Sequence, residues 1–287
     1  MLNILSSRST HPNEGFREVL RDPGEDNLEW IGRVASEAND GPDGAQTDLV
    51  LLGGVSICAF RLRAAQSHLR HDLTPSHWSH VVLLAGSAED KLDVMPVLEI
   101  SLEPERGFGF PPVDNAVQDG RLSVYRSRRQ YPNIALLRLS VERSMVTGML
   151  RREGAPPPHS EKDALADFRR QRASLDAVDL LVAWLAFAWG VGAVGNPLLQ
   201  GHGIPSAAMI EVVLAACRYD VTPGLENRSS CPEAIWQAGK WWQAYYAQQE
   251  KTPPAGAWTV EHVLPEGRRP RRARDGGGSR RVQRGHS

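Results

Sequence analysis

Cys231 stands immediately before Pro232 in the stretch NRSSCPEAIWQAGKWWQAYY, residues 227–246. Proline is favoured at the first position of a helix, where its missing N–H would be unpaired anyway. The spacing therefore predicts a helix from Pro232 to about Gln249 with Cys231 at its N-cap. Unpaired N–H groups and the helix dipole favour negative charge at that place, and the thiolate is the nucleophilic form of cysteine. Glu233 acts the other way, because a neighbouring carboxylate raises a thiol's pKa. A small buried cysteine is the plain alternative. A thiol nucleophile also needs a base. His80 opens the apolar run HWSHVVLLAG, and histidine titrates near working pH. Glu99 lies inside the next apolar run, PVLEIS, where an unpaired carboxylate would be costly. If these two runs form a hairpin, His80 and Glu99 share a face only when the partner of His80 is odd-numbered, since side chains alternate along a strand. Glu99 would then orient the imidazole, as the third member of a triad does. Each residue has a plainer role open to it: a strand-end histidine bonded to backbone, and an edge carboxylate facing water.

The elements that would position these residues fall into two halves. Strand-like runs come first: TDLVLLGG (47–54), SHVVLLAG (79–86), VMPVLEISL (94–102), RLSVYRS (121–127) and IALLRLSV (134–141). Their length and branched residues predict a mostly antiparallel sheet. Helical patterns follow: SVERSMVTGMLRRE, then DALADFRRQRASLDAVDLLVAWLAFAWG as one helix or two, then SAAMIEVVLAACRYD with Ser206 as N-cap, and last the cysteine helix. Ala234, Ile235, Ala238, Trp241, Trp242 and Tyr245 are its expected core-facing stripe. KTPPAGAWTVEHVLPEG adds a short extended piece. Strands followed by helices predict an α+β fold. Residues 1–45 read as weakly ordered apart from a short helix at DNLEWIGRVASEA, and residues 266–287 as a disordered Arg/Gly-rich tail.

Composition narrows the classes. The chain has 287 residues, 41% hydrophobic and 23% charged, ordinary for a globular protein. The net charge of −1 hides a split: the last twenty residues carry eight arginines and one aspartate, leaving −8 for the rest. Specific nucleic-acid binding by the folded part is not expected. The tail allows only weak contact with an anionic surface. Three cysteines, with no leader-like start, argue for a reducing cytoplasm and against a disulfide scaffold. The apolar run 178–199 has about 16 uncharged residues before Asn196-Pro197, short of the roughly 20 that span a bilayer, and reads as a core helix. His68, His71, Asp72, His77 and His80 fall within thirteen residues. Two His-x-x-His pairs suggest zinc, but the second runs into a strand, so no metal is expected. Cys58 and Cys217 lack the helix-start position and read as structural.

Taken in order, SHVVLL with Ser79-His80-Val81, VLEIS with Glu99, the run Val124-Tyr125-Arg126, and the late Cys231-Pro232-Glu233-Ala234-Ile235 resemble the circularly permuted NlpC-type papain-like superfamily. Its relatives include lecithin:retinol acyltransferase-like proteins and bacterial amide- or lipid-directed homologues. The likeness covers roughly residues 47–245. It departs at Pro232, at the missing glycine before Asp48, and in a helical insertion at about 142–222 within a domain of 46–265. The resemblance implies a permuted papain-like fold and a cysteine peptidase or amidase. Cys231 would attack a carbonyl, His80 would carry the proton, Glu99 would support His80, and a thioacyl-enzyme would form without metal or organic cofactor. The substrate would be a small molecule, a peptide or a lipid. An acyltransferase or thioesterase would use the same residues. A non-catalytic binding module, with some of the eight tryptophans at its interfaces, is the rival outside enzymes.

Overall fold

The computed structural model describes residues 15–37, 46–86, 91–102, 118–142, 146, 177–191, 194–226, 229–249 and 253–262. Among them are seven strands and five α-helices in an α+β arrangement. The strands are β1 (Phe16–Glu18), β2 (Gln46–Gly53), β3 (His80–Leu84), β4 (Pro96–Glu99), β5 (Gln118–Arg121), β6 (Asn133–Glu142) and β7 (Ala255–Thr259). The helices are α1 (Asn27–Glu37), α2 (Ile57–Ala65), α3 (Ala177–Trp189), α4 (Pro205–Ala216) and α5 (Pro232–Tyr246). The sheet runs β1-β7-β6-β2-β3-β4-β5. β1 pairs parallel with β7, and every other neighbouring pair is antiparallel.

The central strand shows why the sheet has two covered faces. Leu49, Val50, Leu51 and Leu52 are all fully buried. A strand apolar at every position must be covered on both sides, and each such leucine contributes about 1.5–3 kcal/mol by burial. Leu49 and Leu51 join one core with Val81, Leu83 and Leu137 under α2, α3, α4 and α5. Val50 and Leu52 join a second core with Val82, Leu84 and Leu136 under α1. The short helix expected at DNLEWIGRVASEA is thus present as α1, and it covers this second face of the sheet. Asp26 Oδ1 accepts from the N–H groups of Leu28 and Glu29, while Glu29 reaches back to the Asp26 N–H. This capping box starts α1 and aims Trp30, Ile31 and Val34 at the sheet.

Three further expectations change. Residues 121–127 are not a strand: β5 ends at Arg121 and Leu122–Tyr125 form a 3₁₀ turn. Ser206 is not an N-cap, because α4 begins at Pro205 and the Ser206 hydroxyl donates to the Val81 carbonyl instead. The stripe of α5 is differently phased, with Ile235, Trp236, Gly239 and Gln243 buried while Trp241 and Tyr245 are exposed. Trp236 sets that phase by packing edge-on against Phe16, Trp78 and Trp258. Gly239 permits it, since a Cβ there would lie 2.9 Å from Leu137. Of the helix expected at SVERSMVTGMLRRE, residues 140–142 belong to β6, and nearly all the rest, like residues 163–176 and the tail, lie outside the described residues. Among the described residues, no helix is long and apolar enough to cross a membrane.

Gly53, at the end of β2, tests the closeness of this packing. A Cβ there would lie 2.0 Å from the His77 carbonyl oxygen and 2.8 Å from Asn133 Cβ. Backbone cannot swing aside as a side-chain tip can, so Gly53→Ala is expected to cost about 2–3 kcal/mol, read as a lower urea midpoint with unchanged slope.

Candidate active site

His80 is the first residue of β3 and pairs with Leu52, so its side chain shares the α1 face with Leu52. On the other side, β3 pairs with β4 through Leu83↔Leu98 and Leu84↔Val97. Continuing that register sets His80 across from residue 101, an odd number, and the parity condition for a shared face with Glu99 is met. The two side chains do meet: His80 Nε2 lies 2.6 Å from Glu99 Oε2. The Tyr125 hydroxyl donates to the same oxygen. Burial alone would push the Glu99 carboxyl up, but the His80 hydrogen bond and charge, with the Tyr125 hydroxyl, hold it below its ordinary value.

Local structure explains each position. The turn Leu122–Tyr125 swings Tyr125 under the sheet, where it is buried. Asn27, at the start of α1, donates from Nδ2 to the carbonyls of both Tyr125 and Tyr131. Tyr131 packs edge-on against Tyr125, with ring centroids 5.1 Å apart. Gly120 leaves room for the carboxylate, because a Cβ there would stand 2.6 Å from Glu99 Oε1. Beyond Leu83↔Leu98 the β3–β4 ladder stops. A cavity of about 30 Å³ lies at that opening, lined in part by Ser79, His80, Ser101, Tyr125, Tyr131 and Ile204. That volume is room for about one water molecule.

Cys231 occupies the N-cap of α5 with Pro232 at the first helical position, as expected. It is fully buried, in the core on the other side of the sheet from His80. Among the described residues no hydrogen bond joins the two. Burial pushes its thiol up to about 12, against the pull of the Ala234 and Glu233 N–H groups, and the Glu233 and Glu211 carboxylates add to the rise. The helix start is thus outweighed by desolvation. Glu233 is itself enclosed, accepting from Ser76 Oγ at 2.6 Å and from Gln237 Nε2. The neighbouring Ser230 carbonyl accepts from the Ile204 N–H at 2.8 Å. Ile204 lines the cavity, so the segment carrying Cys231 lies behind that wall.

The structure therefore brings His80 and Glu99 together and keeps Cys231 apart from them. Tyr125, expected within a strand, is a third member of the site. Only its approach through the 3₁₀ turn reveals its role. Asp72 is bound to Arg70 and Thr74, and among the described residues no three of His, Cys, Asp and Glu converge as a metal would require. Cys58 and Cys217 are buried. Comparison with models of known protein families, with curated proteins and with solved structures finds no match.

Proposed function

We propose that the protein is a hydrolase acting at an amide carbonyl, in a permuted papain-like arrangement, with His80 as its proton carrier. The observation that carries this reading is the 2.6 Å contact of His80 Nε2 with Glu99 at the edge of a cavity lined by polar and apolar side chains together. With Nε2 held, Nδ1 is the nitrogen left to take a proton from the nucleophile and pass it to the leaving amine. Cys231 is the nucleophile of this reading. Its sulfur bonds to the carbonyl carbon as the C–N bond breaks, and water then releases the acyl group. Transfer to another acceptor would make the same residues an acyltransferase or thioesterase. The contact of Ile204 with Ser230 must open for the thiol to reach the cavity, which at about 30 Å³ is also too small for a substrate when closed. Three free, buried cysteines suit a reducing cytoplasm.

A second reading rests on the same burial: a non-catalytic binding module in which Cys231 is a core residue. Iodoacetamide labelling across pH, mapped by mass spectrometry on wild type and His80→Ala, separates the two. Labelling of Cys231 well below about pH 8, slowed by the His80 change, supports the hydrolase. Slow labelling indifferent to His80 removes Cys231 from the chemistry and leaves the binding module.

A further inference from the structure

A cavity opens on the sheet at the last turn of α1, between Val34 and Glu37. The sheet carries two rows of paired residues there. One runs Arg17, Ala257, Leu136, Val50, and the other Ala255, Arg138, Asp48. Val50, Leu136 and Ala257 belong to the core under α1. The second row lies two residues away along each strand, and side chains alternate, so both rows face the same side. Ala255 and Ala257 are too short to fill the space beside the helix. They leave a cavity of about 280 Å³ against Leu136 and Val34. The His80 cavity, at about 30 Å³, has room for a water. This one approaches the roughly 300 Å³ at which small-molecule sites begin.

Two ion pairs frame it. At the floor, Arg138 Nε donates to Asp48 Oδ1 at 2.8 Å and Nη2 to Oδ2 at 3.2 Å. Their side chains are 12% and 5% exposed. A buried ion pair adds little stability over apolar side chains of the same volume, so packing alone does not account for one in this face. At the mouth, Arg17 Nη2 donates to Glu37 Oε2 at 2.6 Å, with both side chains exposed. An exposed pair holds weakly, so both groups can turn to a ligand at little cost. Glu37 also lies 3.7 Å from Arg33, but Arg33 is held by two hydrogen bonds to Glu25.

We propose that this cavity binds a free α-amino acid with an apolar side chain. Its carboxylate pairs with Arg17 and its ammonium with Glu37. Its side chain lies on Val34, Leu136, Ala255 and Ala257. A ligand with one sign of charge would meet its like here: an anion would meet Glu37, and a cation would meet Arg17 and Arg138. A zwitterion matches both. The floor pair is already balanced by Asp48, so it favours neither sign. The volume admits one residue and not a long peptide. The site lies on β1, β7 and β6, with β2 between it and the strand of His80. It does not depend on the hydrolase reading.

The test is isothermal titration calorimetry of the full chain with leucine and with phenylalanine. Isocaproate is leucine without its ammonium, isoamylamine is leucine without its carboxylate, and glycine has no side chain. At least one of the two amino acids is expected to bind. The three analogues are expected to bind at least about tenfold more weakly, the loss for one charge-assisted hydrogen bond or a comparable apolar contact. Ala255→Leu fills the cavity and should abolish binding. Glu37→Gln, at an exposed position, should weaken it at least about tenfold. Unchanged melting temperatures would show that the variants stay folded, and Glu37→Gln decides the matter if Ala255→Leu does not fold. Absence of binding by both amino acids overturns the proposal. So does isocaproate binding as tightly as leucine, which would leave Glu37 without a part. Binding indifferent to both substitutions would place the ligand elsewhere and also overturns it.

Discussion

Glu99→Ala is expected to lower the stability of the folded protein by about 2–4 kcal/mol at pH 7, because two buried hydrogen-bonding groups lose the acceptor they share, at about 1–3 kcal/mol each. The His80 and Glu99 side chains are only 13% and 6% exposed, so water screens little of their interaction. Alanine leaves both His80 Nε2 and the Tyr125 hydroxyl without the oxygen they share. Glu99→Gln keeps an acceptor and should cost less. Urea titration of both variants reads the difference. The cost also depends on pH. The folded state holds the Glu99 carboxyl below its ordinary value of 4.5. Its contribution is therefore complete above the unfolded value and is lost as pH falls through the lower folded value. The gap between wild type and Glu99→Ala should close on acidification below about pH 4. A loss under about 1 kcal/mol at pH 7 would mean that the carboxylate has no real hold on His80, and would remove the support for the hydrolase.

The pairing of His80 with Glu99 was legible up to a condition. Alternation along the two strands states the parity that brings them together, but the register depends on how the chain turns between Leu84 and Pro96. Cys231 was legible in its local setting and not in its tertiary one. The Cys-Pro pair places a residue at a helix start whatever lies around it. Which face of the sheet that helix covers depends on packing with segments far away in sequence, such as Phe16, Trp78 and Trp258 on Trp236. The phase of α5 was missed for a related reason. A stripe of tryptophan and tyrosine looks like core, yet it is Gly239 that faces Leu137, so closely that a Cβ there would lie 2.9 Å from it. The helix α1 was legible at DNLEWIGRVASEA, and its capping box of Asp26 and Glu29 suits that place, but its covering of a sheet face depends on contacts with strands far away in sequence.

Glu211→Gln is expected to stabilise the protein above neutral pH, by on the order of 3 kcal/mol, and to flatten its stability between about pH 5 and 7. Glu211 lies on α4, almost wholly buried, and burial pushes its carboxyl up to about 7. Hydrogen bonds from Thr222 and Ser230 pull it down, and Asp220 adds to the rise. An acid whose folded value lies above its unfolded value binds its proton more tightly when folded. Between the two values the folded state holds a proton that the unfolded state has released, so stability falls as pH rises. Above both, the full cost of a buried carboxylate remains. Thr222 Oγ1 and Ser230 Oγ both donate to Oε1, at 2.8 and 3.0 Å. Glutamine can keep that acceptor without the charge. Ser230 adjoins Cys231, and its carbonyl holds Ile204 at the cavity wall. Ionised Glu211 is the stronger acceptor for the Ser230 hydroxyl, so it holds the segment beside Cys231 more tightly. Wild type should label at Cys231 more slowly than Glu211→Gln above pH 7 at matched pH, because the Glu211 carboxylate adds to the rise of the Cys231 thiol. Chemical denaturation at pH 5.5 and pH 8 supplies the stability half of the test. Equal stabilities of the two proteins at pH 8 would show that Glu211 ionises there without penalty, and equal labelling rates would show that its charge does not reach the cysteine.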